Sequence, residues 1–316
     1  MRILFAAHEN SWGGFFGMIR SELPRHEFVA TGRFGAHSLK DFDVFIPTMC
    51  LVTREMIETG DRLRLIQQCG SGLDGVDIRA ARDRNVWVAN VPTDLSGNAD
   101  SVAELGIYML IGLSRDIRSM AKSLACRQMG EPQGRALSGK TVGLVGLGGI
   151  GRALIRKLKP FDVRLIAIKR SHPERAVNEF GLEWAGGPED LPALLGRSDY
   201  VILCLPATSE TKHLMNRETF SSMKRGSFLI NLARGGLVER GALEDALAKG
   251  HIAGAGLDVF WEEPPDPNDP IFSYNVLATP HIGGSTDFSM RGIVKAVAEN
   301  IRRVEKNQRP LHLKDP

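Results

Sequence analysis

The chain has 316 residues, with 40 Lys and Arg against 37 Asp and Glu, so its formal net charge at pH 7 is only +3. This length predicts two domains, and the content of 43% hydrophobic and 24% charged residues is typical of a soluble globular protein rather than a disordered or membrane one. Because the basic residues are scattered along the sequence, we expect no nucleic-acid partner.

The apolar segments are all short. The longest covers residues 105–113, well below the roughly 20 residues of a membrane span, and the N-terminal run at 3–7 is too short for the apolar core of a secretion signal. We therefore expect a cytoplasmic protein without a membrane partner.

The cysteines lie far apart in the sequence, at Cys50, Cys69, Cys126 and Cys204. They form neither a CxxC pair nor a metal-ligand spacing with histidine. We predict reduced, mostly buried thiols and no metal site.

The first hundred residues alternate short apolar strands with helical stretches. Strands are predicted at residues 3–7, 28–30, 44–46, 63–69 and 86–89. This alternation predicts a parallel sheet with helices on both faces.

A glycine-rich segment at residues 70–75 follows the fourth predicted strand of this region. Ligands of open α/β sheets bind at the carboxyl ends of the strands, where the free backbone N–H groups of this segment could hold a carboxylate. A flexible turn before a helix at 76–84 explains the same segment equally well.

A long helix is predicted from Asn98 to Leu113, and it carries the chain into a second domain. Residues 141–151 then give an apolar strand, a glycine turn and a helix start, typical of a dinucleotide-binding site. Gly146 allows the tight turn, Gly148 lets the backbone approach a pyrophosphate, and Gly151 lets the helix pack on the strand. The alternative is a purely structural turn.

The strand predicted next, at residues 164–168, ends at Lys169, Arg170 and Ser171. In a dinucleotide fold an acidic residue at this place binds the ribose hydroxyl of NAD, and it would repel the 2′-phosphate of NADP. An ammonium, a guanidinium and a hydroxyl would instead bind that phosphate. The sequence thus favours NADPH over NADH, and the alternative is a solvated basic loop.

Further strands are predicted at residues 200–206, 227–230, 253–260 and 276–284, with a last helix from about 286 to 306 that returns to the first domain. Arg234, Glu263 and His281 each lie just past or near a predicted strand end. Taken singly, each of them could equally be a loop or surface residue without a role in catalysis. Together they predict one cleft, because the carboxyl ends of parallel strands meet at one edge of the sheet.

Four motifs in this order resemble the D-isomer-specific 2-hydroxyacid dehydrogenase family: residues 146–151 (GLGGIG), 231–236 (NLARGG), 258–264 (DVFWEEP) and 279–285 (TPHIGGS). The resemblance implies an α/β protein of two domains, in which a Rossmann dinucleotide-binding domain (99–287) is inserted in a flavodoxin-like substrate domain (1–98 and 288–316). It also implies a homodimer.

The resemblance implies roles for the three polar residues. His281 would be the acid/base that protonates the carbonyl oxygen of a 2-oxoacid, as suits a side chain with a reference pKa of about 6.5. Glu263 would fix the tautomer of His281 and favour the charged imidazolium. Arg234 would bind the substrate carboxylate, helped by the backbone of Ser71 and Gly72.

The resemblance also implies a set of cofactor-binding residues, which are Gly146, Gly148, Gly149, Ile150, Gly151, Lys169, Arg170, Ser171, Leu205, Pro206, Thr211, Leu232, Ala233, Asp258, Gly283 and Gly284. Among them Asp258 would accept a hydrogen bond from the nicotinamide carboxamide. The basic pair Lys169 and Arg170, where the family commonly has an acidic residue, is similar to NADP-using glyoxylate and hydroxypyruvate reductases.

We therefore expect reduction of a small 2-oxoacid to the D-2-hydroxyacid with NADPH, and NAD is the alternative cofactor. Two alternatives stay open at this point. One is an NAD-dependent dehydrogenase of the D-lactate, formate or phosphoglycerate type, and the other is a non-catalytic regulatory protein that senses the dinucleotide.

Overall fold

The computed structural model describes residues 1–314. Their strands form two parallel sheets, and in chain order they are β1 (Arg2–Phe5), β2 (Glu27–Ala30), β3 (Val44–Ile46), β4 (Leu65–Gln67), β5 (Trp87–Ala89), β6 (Thr141–Val145), β7 (Arg164–Ile168), β8 (Trp184–Gly186), β9 (Tyr200–Leu203), β10 (Ser227–Asn231), β11 (Ile252–Leu257) and β12 (Val276–Ala278).

The α-helices lie between these strands and at the end of the chain. They are α1 (Phe15–Glu22), α2 (Arg54–Glu58), α3 (Ile78–Asp83), α4 (Asn98–Ser114), α5 (Ile117–Ala125), α6 (Gly149–Leu158), α7 (Pro173–Phe180), α8 (Leu191–Arg197), α9 (Arg217–Ser222), α10 (Arg240–Ala248) and α11 (Asp287–Glu305).

The chain divides into two compact units. The first contains residues 1–98 and 284–316, and the second contains residues 99–283. The domain boundary expected at 287 falls four residues beyond the end of the second unit, on the first residue of α11.

The first unit contains a sheet of five strands in the order β2-β1-β3-β4-β5, all parallel. This is the flavodoxin order. Successive side chains of a strand point to opposite faces, so Ile3 and Phe5 pack with α1 and α11, while Leu4 packs with α3 on the other face. The predicted parallel sheet with helices on both faces is confirmed.

The second unit contains a sheet of seven strands in the order β12-β11-β10-β9-β6-β7-β8. Counted from β6 as the first strand, its order is 7-6-5-4-1-2-3, which is the Rossmann order with one added strand. One face packs against α4 and α6, and the other packs against α8 and α10. The predicted fold class, a Rossmann domain together with a flavodoxin-like domain, is confirmed.

The structure corrects some element limits. The strand predicted at 63–69 is confined to β4, and the strand predicted at 276–284 ends at Ala278. Several elements were not predicted individually, among them β8 and α5. β8 has three residues and ends in glycine, so its sequence carries no alternation from which a strand could be recognised.

Three further features concern the described part of the chain. No helix within residues 1–314 is both long and apolar enough to cross a bilayer. No group of three or more His, Cys, Asp or Glu side chains in the same residues is placed to hold a metal ion. Cys50 and Cys204 are buried, whereas Cys126 is exposed, so burial of the thiols holds for only part of the set.

Candidate active site

The glycine turn after β6 is built without room for side chains. Gly146 has a φ of +104°, and a Cβ there would lie 2.8 Å from the carbonyl oxygen of Cys204. A Cβ on Gly151 would lie 2.4 Å from the carbonyl oxygen of Gly146. Both contacts are with backbone, so glycine is required for the turn and for the close packing of α6 on it.

Gly148 differs from these two glycines. It precedes α6, and a Cβ built on it would meet nothing within 4 Å. The space in front of it adjoins the first N–H groups of α6, at Gly149 and Ile150, where the helix dipole favours an anion. These residues fit the diphosphate of a dinucleotide.

Cys204 supports this turn from the end of β9. Burial raises the pKa of its thiol to about 12. Its Sγ donates to the carbonyl oxygen of Gly146 at 3.0 Å. A protonated, buried thiol is therefore part of the packing that fixes the turn, rather than a nucleophile.

The basic segment after β7 lies next to the glycine turn. β6 and β7 pair in register with Val145 opposite Ile168, and the N–H of Gly146 donates to the carbonyl oxygen of Ile168 at 3.0 Å. Lys169 is the next residue, and its Nζ donates to the carbonyl oxygen of Ser171. Arg170 is exposed and Lys169 is half-buried, so the guanidinium of Arg170 is open to solvent after β7.

The other predicted cofactor residues follow neighbouring strands of the same sheet. Leu205 and Pro206 follow β9, and the Thr211 hydroxyl donates to the carbonyl oxygen of Pro206 at 2.9 Å. Leu232 and Ala233 follow β10 and are buried. All of them lie at the carboxyl edge, which is the ligand-binding edge of an open α/β sheet.

Arg234 is positioned by its own loop. The Asn231 amide at the end of β10 donates through Nδ2 to the carbonyl oxygen of Arg234 at 2.8 Å and accepts from the N–H of Ala233 at 3.1 Å. A Cβ on Gly235 would lie 2.0 Å from the carbonyl oxygen of Phe260, so the loops after β10 and β11 touch through backbone. The missing side chain at Gly235 thus brings Arg234 towards the segment that carries Glu263.

Glu263 and His281 form a direct pair. His281 Nδ1 lies 2.7 Å from Glu263 Oε2, and the other carboxylate oxygen accepts from the N–H of Phe260 at 2.9 Å. Burial by itself would raise the pKa of Glu263, but the hydrogen bond and charge of His281, the Phe260 N–H and the charge of Arg234 lower it below its usual value. The carboxylate is therefore ionised near neutral pH and accepts a proton-bearing Nδ1.

Asp258 holds the loop that carries His281. Its Oδ1 accepts from the Thr279 hydroxyl at 2.7 Å and from the N–H of Ile282 at 2.9 Å, and its Oδ2 accepts from the N–H of Gly283 at 2.9 Å. Burial raises the pKa of this carboxyl group, although these three hydrogen bonds lower it.

His281 has a φ of +52°, a conformation that few non-glycine residues adopt, and the Asp258 bonds to the next two N–H groups fix it. The role predicted for Asp258, acceptor for a nicotinamide carboxamide, stays a prediction. Three of its acceptor positions are already used within the chain.

The structure thus brings Arg234, Glu263 and His281 together in the second unit, at the edge where the glycine turn lies. Ser71 and Gly72 belong to the first unit and follow β4, and Gly284 also belongs to that unit. Asn231 and Thr279 lie within the motifs at 231–236 and 279–285, but no role was predicted for them. Their position three residues before Arg234 and two before His281 was the available signal.

Comparison with known proteins identifies the family. Residues 107–283 match the description "D-isomer specific 2-hydroxyacid dehydrogenase, NAD binding domain". D-3-phosphoglycerate dehydrogenase of Methanocaldococcus jannaschii is 35% identical over 269 residues, which are 84% of this chain and 50% of that protein. Glyoxylate reductase of Pyrococcus horikoshii is 34% identical over 286 residues, which are 86% of this chain and 82% of that protein.

Among solved structures, the apo form of D-lactate dehydrogenase from Escherichia coli has a TM-score of 0.84 and 25% identity, with 100% of both chains covered. The chain belongs to the D-isomer specific 2-hydroxyacid dehydrogenase family. It is therefore an NAD(P)-dependent oxidoreductase, with a nicotinamide dinucleotide as its cofactor. It spans about half the length of the phosphoglycerate dehydrogenase that it matches.

Proposed function

We propose that this protein reduces a small 2-oxoacid of the glyoxylate or hydroxypyruvate type to the D-2-hydroxyacid, and that it prefers NADPH. The observation that carries the proposal is the 2.7 Å contact between Glu263 and His281, with the charge of Arg234 acting on the same carboxylate. An acid/base, its partner and a cation for the substrate are thus present at one edge of one sheet.

The bound dinucleotide supplies a hydride for the carbonyl carbon. The protein's own residues do the rest. His281 donates the proton on Nε2 to the carbonyl oxygen, since its Nδ1 is engaged by Glu263. The Glu263 carboxylate stabilises the imidazolium before this transfer. Arg234 pairs with the substrate carboxylate and fixes the direction of the carbonyl group.

The substrate class is tested with purified protein, NADPH and a panel of 2-oxoacids that includes glyoxylate, hydroxypyruvate, pyruvate and 3-phosphohydroxypyruvate. We expect oxidation of the cofactor to be fastest with the two smallest polar substrates. Fastest turnover of pyruvate or 3-phosphohydroxypyruvate would instead assign a D-lactate or phosphoglycerate type of enzyme. Tight dinucleotide binding without turnover of any substrate would support a sensing role and contradict the proposal.

The preference for NADPH is proposed from the end of β7. Lys169 follows Ile168, the residue paired with the last residue of β6, so its backbone lies beside the glycine turn, where the adenine ribose of a dinucleotide is expected. Arg170 is exposed next to it, and neither position is acidic. Two cations at this place favour the additional phosphate of NADP over the bare hydroxyls of NAD.

Cofactor titrations test this preference. Lys169→Asp is expected to weaken NADPH binding by about 10-fold or more, since a charge-assisted hydrogen bond is replaced by repulsion, and to leave NADH binding within a factor of about two. Lys249→Ala removes an exposed lysine that follows α10 and is the matched control. Equal losses for NADPH and NADH in Lys169→Asp would contradict the assignment.

We also infer that the protein is a homodimer through α5 and its surroundings. Of the nine residues of α5, all in the described part of the chain, only Ser123 is buried. Leu124 and Met129 are 74% and 89% exposed, and Tyr108 and Ile111 on α4 are exposed too. A nine-residue helix with so little buried surface is not stable by itself in water, which favours a covering partner.

Light scattering after gel filtration tests the homodimer. The wild type is expected to have twice the mass of one chain. Leu124→Glu is expected to shift the equilibrium towards the monomer, whereas Leu95→Glu, which changes an exposed leucine of the first unit, should leave the dimer intact. A monomeric wild type would overturn the inference.

A further inference from the structure

The loop after β4 presents two backbone donors whose direction is fixed from behind. The carbonyl oxygen of Gly70 accepts from the N–H of Val91 at 3.1 Å, and the carbonyl oxygen of Ser71 accepts from Asn90 Nδ2 at 2.6 Å. In a trans peptide the C=O and the following N–H point in opposite directions. The N–H groups of Ser71 and Gly72 therefore point away from residues 90 and 91.

These two N–H groups make no hydrogen bond within the described residues 1–314. Ser71 is exposed and Gly72 is half-buried, so both donors are accessible to a ligand. Two neighbouring N–H groups that point to the same side form a small anion site.

The loop continues the hydrogen-bond ladder between β4 and β5. Gln67 pairs with Ala89, the N–H of Gln68 donates to the carbonyl oxygen of Ala89 at 2.8 Å, and Val91 then reaches Gly70. Past this point the backbone ladder stops. The Asn90 side chain supplies the next bond, so it decides the orientation of the peptide between Ser71 and Gly72.

Asn90 is only 5% exposed, and its side chain makes a single hydrogen bond. Its Nδ2 must be the atom that faces Ser71, because a carbonyl oxygen can only accept. Its Oδ1 is buried and has no partner within the described chain. Burying an acceptor without a donor costs free energy. The hydrogen bond from Nδ2 to Ser71 is therefore the interaction that accounts for an asparagine at this buried position.

We propose that Asn90 is a positioning residue for substrate binding: by holding the Ser71 carbonyl oxygen, it directs the N–H groups of Ser71 and Gly72 towards the carboxylate of the 2-oxoacid. The proposal rests on the proposed function for the identity of the anion. The hydrogen bonds that define the loop all lie within the first unit.

The variants Asn90→Ala and Asn90→Asp test this role. Alanine removes the bond, while aspartate keeps the volume but places an acceptor against the Ser71 carbonyl oxygen. Asn300→Ala is the matched control, because Asn300 is another buried amide of the same unit whose bonds do not reach the loop. The readouts are KM and kcat for glyoxylate, the dissociation constant of oxalate, an unreactive dicarboxylate, measured by calorimetry on the NADPH-loaded protein, and the midpoint of thermal unfolding.

For Asn90→Ala we expect KM for glyoxylate and the dissociation constant of oxalate to rise together by about 10-fold, with kcat changed less than threefold. This factor corresponds to the loss of one charge-assisted hydrogen bond between a loop N–H group and the carboxylate of the ligand. Asn90→Asp should lose more. Asn300→Ala should lower the unfolding midpoint and leave KM and oxalate binding unchanged.

Wild-type KM and oxalate binding in both Asn90 variants, with only a lower unfolding midpoint, would overturn the positioning role. If the wild type reduces no 2-oxoacid but binds oxalate, and the Asn90 variants bind it more weakly, the proposed function fails and the positioning role stands. If the wild type turns over glyoxylate and the variants differ from it only in kcat, the proposed function stands and the positioning role fails.

Discussion

Replacing Glu263 with Gln changes the chemistry at His281 and keeps the shape of the side chain. The amide oxygen of Gln can still accept from the N–H of Phe260, a bond of 2.9 Å in the wild type. The amide NH2 then faces Nδ1 of His281, where a carboxylate oxygen lay at 2.7 Å. A neutral imidazole can accept there, but an imidazolium has donors on both nitrogens and cannot.

The magnitude follows from the bond that is lost. Hydrogen bonds to charged groups contribute about 1.5–3 kcal/mol, and each 1.36 kcal/mol corresponds to a factor of 10 in rate. We therefore expect kcat for 2-oxoacid reduction to fall by about 10- to 150-fold in Glu263→Gln. Oxidation of the hydroxyacid should fall as well, because the amide fixes the tautomer with its proton on Nε2 and leaves no base.

Steady-state rates in both directions, followed by the absorbance of the reduced nicotinamide, measure this effect. The dissociation constant of NADPH, measured by fluorescence titration, is the control, because Glu263 makes no hydrogen bond to the glycine turn in the described chain. A kcat within a factor of about two of the wild type would refute the assignment of Glu263 as partner of the acid/base. A loss of NADPH binding as large as the loss of kcat would refute it too.

The same variant predicts a dependence on pH. The pKa of Glu263 is lowered from its ordinary value of 4.5, so the pair stabilises the folded state fully above that pH and stops doing so as the pH falls through the folded pKa. The difference in unfolding free energy between wild type and Glu263→Gln should thus shrink as the pH falls below 4.5. Urea unfolding at a series of pH values measures it, and a difference that grows towards acid pH would contradict the sign.

Two other changes have defined outcomes. Gly148→Ala should leave the unfolding midpoint unchanged, because the new Cβ meets open space in the protein, but it should weaken dinucleotide binding, because that space is the assigned cofactor site. Gly151→Ala should lower both the unfolding midpoint and the cofactor affinity, since its Cβ would lie 2.4 Å from a backbone oxygen. Unchanged cofactor affinity in Gly148→Ala would contradict the assigned binding site. Asn300→Leu should reduce the unfolding free energy by about 1–3 kcal/mol, because it leaves the fully buried Gln67 Oε1 without its donor, now at 2.7 Å. Urea unfolding measures this, with the exposed Lys295→Ala as control, and equal stabilities of the two variants would argue against the bond.

Much of the fold could be predicted because the relevant signals are local. The alternation of short apolar runs with helical segments predicted the parallel sheets, and the glycines after residue 145 predicted the turn that Gly146 makes. β8 escaped prediction because three residues ending in glycine have no period. α5 was missed although Ile117, Met120 and Leu124 recur at helical spacing, because a run of nine residues directly after the long α4 gives only a short periodic signal.

The site was predictable only in part, and for a different reason. Motif order indicated Arg234, Glu263 and His281, but nothing in their spacing shows that Gly235 brings two loops into backbone contact. Asp258 was expected to face the nicotinamide, and its carboxylate already accepts three hydrogen bonds from the His281 loop. Hydrogen bonds between side chains and distant backbone groups depend on the folded chain, so no pattern of residue types predicts them.

The last helix has a consequence for how the chain is made. α11 carries nine buried residues, and Val297 and Ile301 pack on the same face of the first sheet as Phe5. At about 5–20 residues per second, a ribosome needs roughly 10–40 s to synthesise the intervening residues 99–286. Throughout that interval the hydrophobic face of the β1–β5 sheet lacks the helix that covers it in the folded protein, whereas the second unit is continuous in sequence. The amino-terminal hundred residues therefore expose more hydrophobic surface during synthesis than the second unit does.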